Sequence, residues 1–534
     1  MKGRLLEEIL LQEPVFFEEI FCEILHIVLP TLSSKLSCRN VFGIDIFTKR
    51  WYSTCVTLTT GIEGGMTLVT LGLLTFSDPR PTAYQEMLPV NLEFQNRLVK
   101  ALEQTGQVQV LVGEKVIQTP QEAKTEVERL DRMGVDGVIF HFAGWSFPHL
   151  ATVAAKNSQS SVLLVASFNP RYPSLIGMIA SGASLDQVGI RHGRVWGDPE
   201  DPEIVARILR FGRAARAVRR LRGQTCGLLG GRSMGMYVGT ADTAQWQSLF
   251  GVDLEHVDQF EIVRRSQEIP EDQVQKALDW FKEKVGHIHW DGKSLTEEKL
   301  KLQIRSYYAT KDVMKEKGLD FVAVKCQPEL SDAFVTQCLS QAFLNDPYDM
   351  DGPKEPTVCA CEADLDGALT MQILKLMTEQ PVLFYDLRHY DAKDDVYVFS
   401  NCGSMATFYA ARSCNSEENL KRVSLYPQTP FYYPGGGAAV QYMAAPGEAT
   451  FARLARKSGK YWMAIFAGEF VEQPVEKLKE ASPEWPQAFA RLRVSPQTLI
   501  ETLGSNHLHT VAGNHVDCLV EFCSMVGIEA RVLG

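Results

Sequence analysis

From residue 66 onward, apolar runs of strand length alternate with segments of helical periodicity, and this alternation limits the folds open to the chain. The apolar runs are 67–76, 108–112, 137–142 and 161–167. Between them, the segment 119–133 repeats apolar residues at helical spacing. Strands that alternate with helices form βαβ units, in which helices cover a mostly parallel sheet. The sequence therefore predicts an α/β fold.

The pattern divides the chain into three folded units behind an N-terminal extension. A turn-rich break near residues 198–202 separates two α/β units, and after residue 376 the segments become shorter and β-rich. We expect an extension (1–66), a first α/β domain (67–195), a second α/β domain (196–360) and a C-terminal domain (361–534) that completes the functional site. The predicted fold class is two Rossmann-like, parallel-sheet domains followed by a β-rich domain.

Charge and hydropathy argue against two classes of protein. The 534 residues include 54 Lys and Arg against 65 Asp and Glu, a net charge of −11, whereas a nucleic-acid-binding protein needs a basic face. No run of about 18 uncharged apolar residues occurs, so no membrane span is predicted. Acidic residues before the first apolar stretch argue against a signal peptide. The twelve cysteines mostly fall singly in apolar runs, as buried thiols do, and we expect a cytoplasmic protein.

The helix predicted at 203–221 is strongly basic. Its arginines are Arg207, Arg210, Arg213, Arg216, Arg219 and Arg220. Runs of like charge usually lie on solvated faces, so we interpret this helix as an exposed, salt-bridged face. A cationic groove for an acidic partner is the alternative.

Polar side chains follow several predicted strands, at the sheet edge where open α/β folds bind ligands. These residues are Trp145, Gln327, Glu329, Glu362, Asp364, Asp386 and Arg388, and a later cluster contains Asn506, His507, His509 and His515. Carboxylates with one imidazole suit Mn²⁺, Mg²⁺ or Fe²⁺ better than structural zinc, and paired carboxylates can move a proton between adjacent carbons. As alternatives, Asp364 caps the following helix, and the histidines are buried core residues.

Six short motifs occur in order along the chain. They are Gly231-Arg-Ser-Met-Gly235, Asp351-Gly-Pro353, Cys361-Glu-Ala-Asp364, Tyr385-Asp-Leu-Arg388, Pro434-Gly-Gly-Gly437 and Gly504-Ser-Asn-His507. With these motifs the chain, from about residue 67 to its C-terminus, resembles the L-fucose isomerase family, relatives of L-arabinose isomerase. The resemblance implies three domains, a homo-oligomer that is commonly a hexamer, and a Mn²⁺-dependent aldose–ketose isomerase that acts on an open-chain sugar through a cis-enediol.

The resemblance also implies roles for individual residues. In the family a Glu, an Asp and a His hold the metal, and the two acids accept protons; the Asp corresponds to Asp364 and the His to His507. Trp145 corresponds to a tryptophan that shapes the sugar pocket, and in an oligomer its loop could serve a neighbouring site. Arg388 and Asn506 are further candidates for contacts with sugar hydroxyls.

The family glutamate is absent from its expected position, where this chain has Gln341. An amide oxygen can bind a metal or substrate, but an amide cannot accept the proton. Glu329, just after the predicted strand 320–325, is our candidate for the second metal ligand and acid–base group, with Asp332 behind it. Alternatively, Glu329 only caps the next helix. Leu503 replaces a family tryptophan, which leaves the sugar specificity open.

The sequence thus predicts a metal-dependent aldose–ketose isomerase, most simply one that converts L-fucose to L-fuculose, with D-arabinose to D-ribulose as a related reaction. Mn²⁺ is the expected cofactor, with other divalent metals as alternatives. An isomerase of another sugar, such as L-arabinose, and a non-catalytic sugar-binding or regulatory protein on the same scaffold are the competing hypotheses. The expected partners are a monosaccharide and further copies of the chain, without nucleic acid or membrane.

Overall fold

The computed structural model of the chain describes residues 68–534. The predicted N-terminal extension and the first residue of the predicted strand 67–76 lie outside the described residues. Along the rest of the chain, two parallel sheets with their helices precede a larger, mostly antiparallel sheet, which confirms the predicted fold class. Within residues 68–534, every helix is too short or too polar to span a lipid bilayer.

The first sheet has five parallel strands in the order β2-β1-β3-β4-β5. The strands are β1 (Val69–Thr75), β2 (Val108–Val112), β3 (Gly137–Phe142), β4 (Ser161–Ser167) and β5 (His192–Gly197). The helices are α1 (Pro81–Glu103), α2 (Pro120–Arg132), α3 (Pro148–Asn157), α4 (Ser174–Gln187) and α5 (Pro202–Leu221). Every residue of β3 is buried, because helices cover both faces of the sheet, and this explains the continuous apolar runs in the sequence.

The start of α2 shows how local sequence fixes an element boundary. The Thr119 hydroxyl accepts a hydrogen bond from the Glu122 N–H at 3.2 Å, and the Glu122 carboxylate accepts one from the Thr119 N–H at 3.1 Å. Pro120 occupies the first helical turn, where its missing N–H costs nothing. This reciprocal capping box confirms the helix predicted at 119–133.

The second sheet has four parallel strands in the order β12-β9-β6-β7. The strands of this part of the chain are β6 (Thr225–Leu229), β7 (Asp253–Val257), β8 (His287–Ile288), β9 (Phe321–Val324), β10 (Tyr348–Asp349), β11 (Gly352–Pro353) and β12 (Cys359–Ala360). Its helices are α6 (Thr243–Phe250), α7 (Phe260–Ser266), α8 (Glu271–Lys284), α9 (Glu297–Lys317), α10 (Glu329–Ala333) and α11 (Cys338–Asn345). Strands β10 and β11 form a separate hairpin.

The C-terminal part of the chain forms a closed β-barrel. Its strands are β13 (Leu383–Asp391), β14 (Val396–Ser400), β15 (Ser424–Pro427), β16 (Ala438–Gln441), β17 (Gly447–Lys457), β18 (Lys460–Phe470), β19 (Gln487–Leu492), β20 (His507–Ala512) and β21 (Glu529–Val532). The antiparallel order β17-β20-β13-β14-β19-β18 closes because β17 also pairs with β18, and β21 joins β18 in parallel. Strand β15 pairs with β16 on one side and with β8 on the other, in a small outer sheet.

A helix buried on all sides joins the barrel to the second sheet. The remaining helices are α12 (Leu365–Thr378), α13 (Ser416–Leu420), α14 (Pro496–Thr502) and α15 (Val516–Val526). Every residue of α12 except Lys375 is buried, since the helix packs against β9 and β12 on one side and β17 and β20 on the other. Apolar side chains make up most of the helix, and its buried Asp366 is paired with Arg456 at 3.0 Å.

The basic helix α5 departs from the exposed face that the sequence predicts. Arg216 is fully buried, and its Nη2 donates to the Met377 carbonyl at 3.2 Å. The Glu379 carboxylate lies 3.7 Å from Arg216 and 3.1 Å from Arg220. The interpretation as a solvated face is wrong for Arg216, because α5 packs between the first sheet and helices α12 and α15.

The cysteines largely agree with the prediction of buried thiols. Free, buried cysteines occur at positions 226, 326, 338, 359, 361, 402, 518 and 523. Cys414 departs from the prediction because it is disulfide-bonded.

A methyl group at Gly137 should destabilise the first domain. The added Cβ would lie 2.8 Å from Phe211 Cε1 and 3.0 Å from Ala215 Cβ, so β3 and α5 would have to separate. We expect Gly137→Ala to cost about 1–3 kcal/mol, as overpacking usually does, seen as a lower urea midpoint by circular dichroism. Gly231→Ala is the matched control, because its Cβ meets no atom within 4 Å. Equal midpoints for the two variants would contradict this packing.

Candidate metal centre

The chain makes a strained turn at the carboxyl end of β12. Cys361–Ala363 form a single 3₁₀ turn in which Glu362 and Ala363 have left-handed φ angles of 58° and 54°. Such conformations cost about 1–3 kcal/mol each and persist where surrounding contacts hold them, often at functional sites. The turn ends at Asp364, whose carboxylate accepts a hydrogen bond from the Gly367 N–H at 2.9 Å. Asp364 therefore caps α12.

His507, the first residue of β20, is buried among three carboxylates. Its Nδ1 lies 2.7 Å from Asp364 Oδ2, and its Nε2 lies 3.1 Å from Glu362 Oε2 and 3.7 Å from Asp386 Oδ1. Pairing of β13 with β20 sets His507 directly opposite Asp386. The end of β12, the middle of β13 and the start of β20 thus bring their polar side chains to one point.

These carboxylates favour the protonated imidazole. Burial alone would lower the pKa of His507, but hydrogen bonds to Asp364 and Glu362 outweigh burial and raise it to about 10. A metal ligand must be the neutral ring, so an imidazolium and a divalent cation are alternative counter-charges for the same carboxylates. Burial also raises the pKa of Asp386 above its ordinary value.

Asp364 makes its contacts within the protein. Its Oδ2 lies 2.5 Å from Nη1 of the buried Arg453, and its Oδ1 accepts from Arg453 Nη2 at 3.1 Å. Burial raises the pKa of this carboxyl, but Arg453 and His507 together hold it well below its ordinary range. Metal-binding histidines commonly donate their second ring N–H to such a carboxylate. Asp364 is therefore placed to orient His507 rather than to face a ligand.

A second histidine near this ion pair has a structural environment. His509 is fully buried, and its Nε2 lies 3.2 Å from Arg453 Nη1, which can only donate. Burial and the adjacent guanidinium lower the pKa of His509 well below its ordinary value. The ring is therefore neutral and supports Arg453.

Glu362, Asp386 and His507, called the trio below, form a donor set for a cation. Each offers one ligand atom, and the three atoms lie within 4.8 Å of one another. Two carboxylate oxygens and one imidazole nitrogen suit a hard divalent ion, and Asp364 leaves the His507 Nε2 to face it. The Glu362 side chain is 10% exposed and that of Asp386 35%, so the trio opens to solvent beside Asp386. These residues fit the divalent metal that the resemblance implies.

Several predicted residues lie together at this point. Asp364 contacts His507, and the Asn506 side chain donates to Asp386 Oδ1 at 2.7 Å. Arg388 is exposed two residues farther along β13 than Asp386, and its charge lowers the Asp386 pKa in part. Sequence analysis places Glu362 and Asp386 among the polar residues at strand ends and in two of the six motifs, but assigns neither of them as a metal ligand or an acid–base group.

Other predicted residues lie apart from the trio. Glu329 begins the short helix α10, is half-exposed, and pairs with Lys325 Nζ at 2.6 Å. Gln341 is buried in α11, with its Nε2 3.5 Å from the Val324 carbonyl. Its Oε1 has no hydrogen-bond partner within residues 68–534.

Trp145 belongs to the first domain. It is half-buried in the loop between β3 and α3. Within the described part of the chain, no hydrogen bond or ring contact joins Trp145 to the trio. The structure thus places Asp364 and Asn506 in contact with members of the trio, to which His507 itself belongs. It leaves Glu329, Gln341 and Trp145 outside the trio.

Comparison with known families and proteins agrees with this architecture. Family models of L-fucose isomerase match the chain in order: the first N-terminal domain at residues 68–223, the second at 226–379 and the C-terminal domain at 399–533. Together they span most of the described residues.

The chain is also similar to curated proteins with two different names. It is 25% identical to a sulfoquinovose isomerase from Clostridium sp. (strain MSTE9), over 68% of this chain and 76% of that protein. It is 23% identical to a sulfoquinovose isomerase from Priestia megaterium, over 79% and 91% respectively. It is 24% identical to an L-fucose isomerase from Bacteroides thetaiotaomicron, over 79% and 85% respectively. The chain belongs to the L-fucose isomerase family of sugar aldose–ketose isomerases.

Proposed function

We propose that this chain is a divalent-metal-dependent aldose–ketose isomerase whose metal is held by Glu362, Asp386 and His507. The observation that carries the proposal is the convergence of their three ligand atoms within 4.8 Å, beside a solvent opening. When bound, a divalent cation polarises the C1 and C2 oxygens of an open-chain sugar. Mn²⁺ is the preferred ion, because two hard carboxylates and a single imidazole make up the donor set.

Asp386 is the proposed proton-transfer group. Isomerisation moves one proton from C2 to C1 and the hydroxyl proton from O2 to O1, so one side chain must take the carbon-bound proton and return it. Asp364 is unsuited because both its oxygens bond Arg453 and its carboxyl is fully buried. Asp386 is the more exposed carboxylate of the trio, so it is the one that a substrate carbon can reach from the solvent side. The Asn506 amide holds the Asp386 carboxylate in place from one side.

The other residues position this group or contact the sugar. Asp364 fixes the orientation of the His507 ring, and Arg388 is exposed near Asp386, where it can bind a substrate oxygen. Gln341 and Glu329 take no proton-transfer role in this proposal. We further propose that the protein is a cytoplasmic homo-oligomer. In this oligomer the Trp145 loop covers the site of a neighbouring copy, since no ring contact joins Trp145 to the trio within residues 68–534.

The substrate is proposed to be a hexose modified at C6. L-fucose is the first candidate, and sulfoquinovose is the second because relatives of this chain carry both names. The exposed guanidinium of Arg388 favours the second, since a sulfonate is an anion that Arg binds well. Turnover assays with L-fucose, D-arabinose, L-arabinose and sulfoquinovose in Mn²⁺ distinguish these substrates, and no ketose from any aldose would favour a non-catalytic protein.

Removing His507 should abolish metal binding. We expect His507→Ala to weaken Mn²⁺ binding by more than about 10²-fold. Replacing a residue that only supports a ligand costs at most about that factor, so replacing a ligand should cost more. Electron paramagnetic resonance of free Mn²⁺ measures this affinity. His515→Ala is the control, because His515 precedes α15 and its Nε2 contacts the Ala512 carbonyl instead. Equal Mn²⁺ affinities in the two variants would argue against the trio.

Asp386 and Glu329 can be separated by matched amide substitutions. We expect Asp386→Asn to lower kcat by at least about 10²-fold, the usual contribution of a general base. Glu329→Gln should retain kcat, because that side chain is half-exposed and bound to Lys325. Steady-state assays at saturating Mn²⁺ report both values. Loss of turnover in Glu329→Gln alone would move the acid–base role to Glu329.

Metal affinity should rise with pH. The protonated form of His507 persists up to a pKa of about 10, and metal ligation displaces that proton. We therefore expect the apparent Mn²⁺ affinity to increase roughly tenfold per unit between about pH 6 and about pH 8. Calorimetry in buffers of different ionisation enthalpy should show close to one proton released per ion. An affinity independent of pH in this range would exclude the imidazolium as the competing counter-charge.

A further inference from the structure

Two thiol groups lie beside the Glu362 carboxylate. The Cys361 Sγ lies 3.8 Å from the Cys402 Sγ, and the two residues are 1% and 7% exposed. These two sulfurs and a Glu362 carboxylate oxygen lie within 4.8 Å of one another. The Cys338 Sγ approaches the Cys402 carbonyl at 3.4 Å, and Gln428 Nε2 approaches the Cys338 Sγ at 3.1 Å.

Separate elements of the fold bring these groups together. Cys361 opens the strained turn after β12, and Cys402 follows β14 of the barrel. The left-handed backbone at Glu362 turns its carboxylate so that it is close to both the His507 ring and the two sulfurs. The cluster therefore does not come from a local sequence motif, and it forms only where the barrel meets the second domain.

We propose that Cys361, Cys402 and Glu362 form a second cation site, selective for thiophilic divalent ions such as Zn²⁺ and Cd²⁺. Thiolates are soft ligands that select these ions over Mn²⁺ and Mg²⁺. Three protein ligands leave a fourth tetrahedral position for water or another donor. Each thiol releases one proton to solvent when the ion binds.

The two cation sites share one ligand. Glu362 belongs both to the trio and to the thiol site, so an ion at the sulfurs draws this carboxylate away from Asp386 and His507. Thiophilic ions then weaken Mn²⁺ binding and inhibit the enzyme. This consequence rests on the proposed function, whereas the thiol site itself does not.

Cadmium binding tests the thiol site directly. The full-length chain is reduced with a phosphine, stripped of metal by chelation, and titrated with Cd²⁺ while the sulfur-to-cadmium absorption in the near ultraviolet is followed. We expect saturation at one ion per chain, with affinity at least about tenfold lower in Cys361→Ala and in Cys402→Ala. Cys523→Ala is the matched control, because Cys523 is an equally buried free thiol in α15.

Folding and alternative outcomes are checked in the same experiment. Circular dichroism establishes that each variant is folded, and a serine variant replaces any alanine variant that does not fold. Undiminished absorption in both Cys361→Ala and Cys402→Ala would overturn the proposal. The absence of absorption in the wild type would also overturn the proposal. If mass spectrometry then shows a Cys361–Cys402 disulfide after peroxide treatment, the two thiols form a redox pair instead.

Displacement of Mn²⁺ tests the shared ligand. Cd²⁺ should release Mn²⁺ from the wild type at a concentration at least about tenfold lower than from Cys402→Ala, measured by paramagnetic resonance of free Mn²⁺. Equal concentrations would overturn the sharing of Glu362. If the wild type binds no Mn²⁺, the proposed function fails, while the cadmium absorption still decides the thiol site.

Discussion

The buried ion pair between Arg453 and Asp364 is the contact on which the geometry of the candidate metal centre depends. Arg453 comes from β17 of the barrel, and Asp364 caps α12 behind the second sheet. Neither charge could be buried alone without a cost of several kcal/mol, so the barrel and the second domain must dock in the register that pairs them. The same carboxylate receives the His507 ring, and one side chain thereby fixes a helix, a barrel strand and a histidine.

This arrangement separates support from reactivity among neighbouring carboxylates. Asp364 is saturated with hydrogen bonds and stays charged, which suits a group that orients others. Asp386 keeps contact with solvent, which suits a group that exchanges a proton with a substrate. Glu362 has a carboxylate oxygen within 4.8 Å of ligand atoms of Asp386 and His507 and of the two thiols, and its left-handed backbone places the side chain there.

How much of the fold the sequence predicts depends on where each strand lies in its sheet. Central strands such as β3 and β4 are covered on both faces and appear as continuous apolar runs, so pattern reasoning finds them. Edge strands β5 and β7 are half-exposed and polar, as in Asp253–Val257, and their patterns resemble loops. The barrel also needs pairings between strands that are distant along the chain, such as β13 with β20 and β17 with β20, which local periodicity does not encode.

The candidate site was predictable as a location but not as a set of contacts. Strand ends identify the right edge, yet the direction of a side chain there depends on the backbone of the following turn. After β9 the chain enters a helix, and Glu329 turns back to Lys325. After β12 two left-handed residues turn Glu362 inward, although neither Glu nor Ala favours that conformation. The strain is retained because Arg453 and His507 hold Asp364 at the end of the turn and His507 also holds Glu362 within it, so local sequence alone could not reveal it.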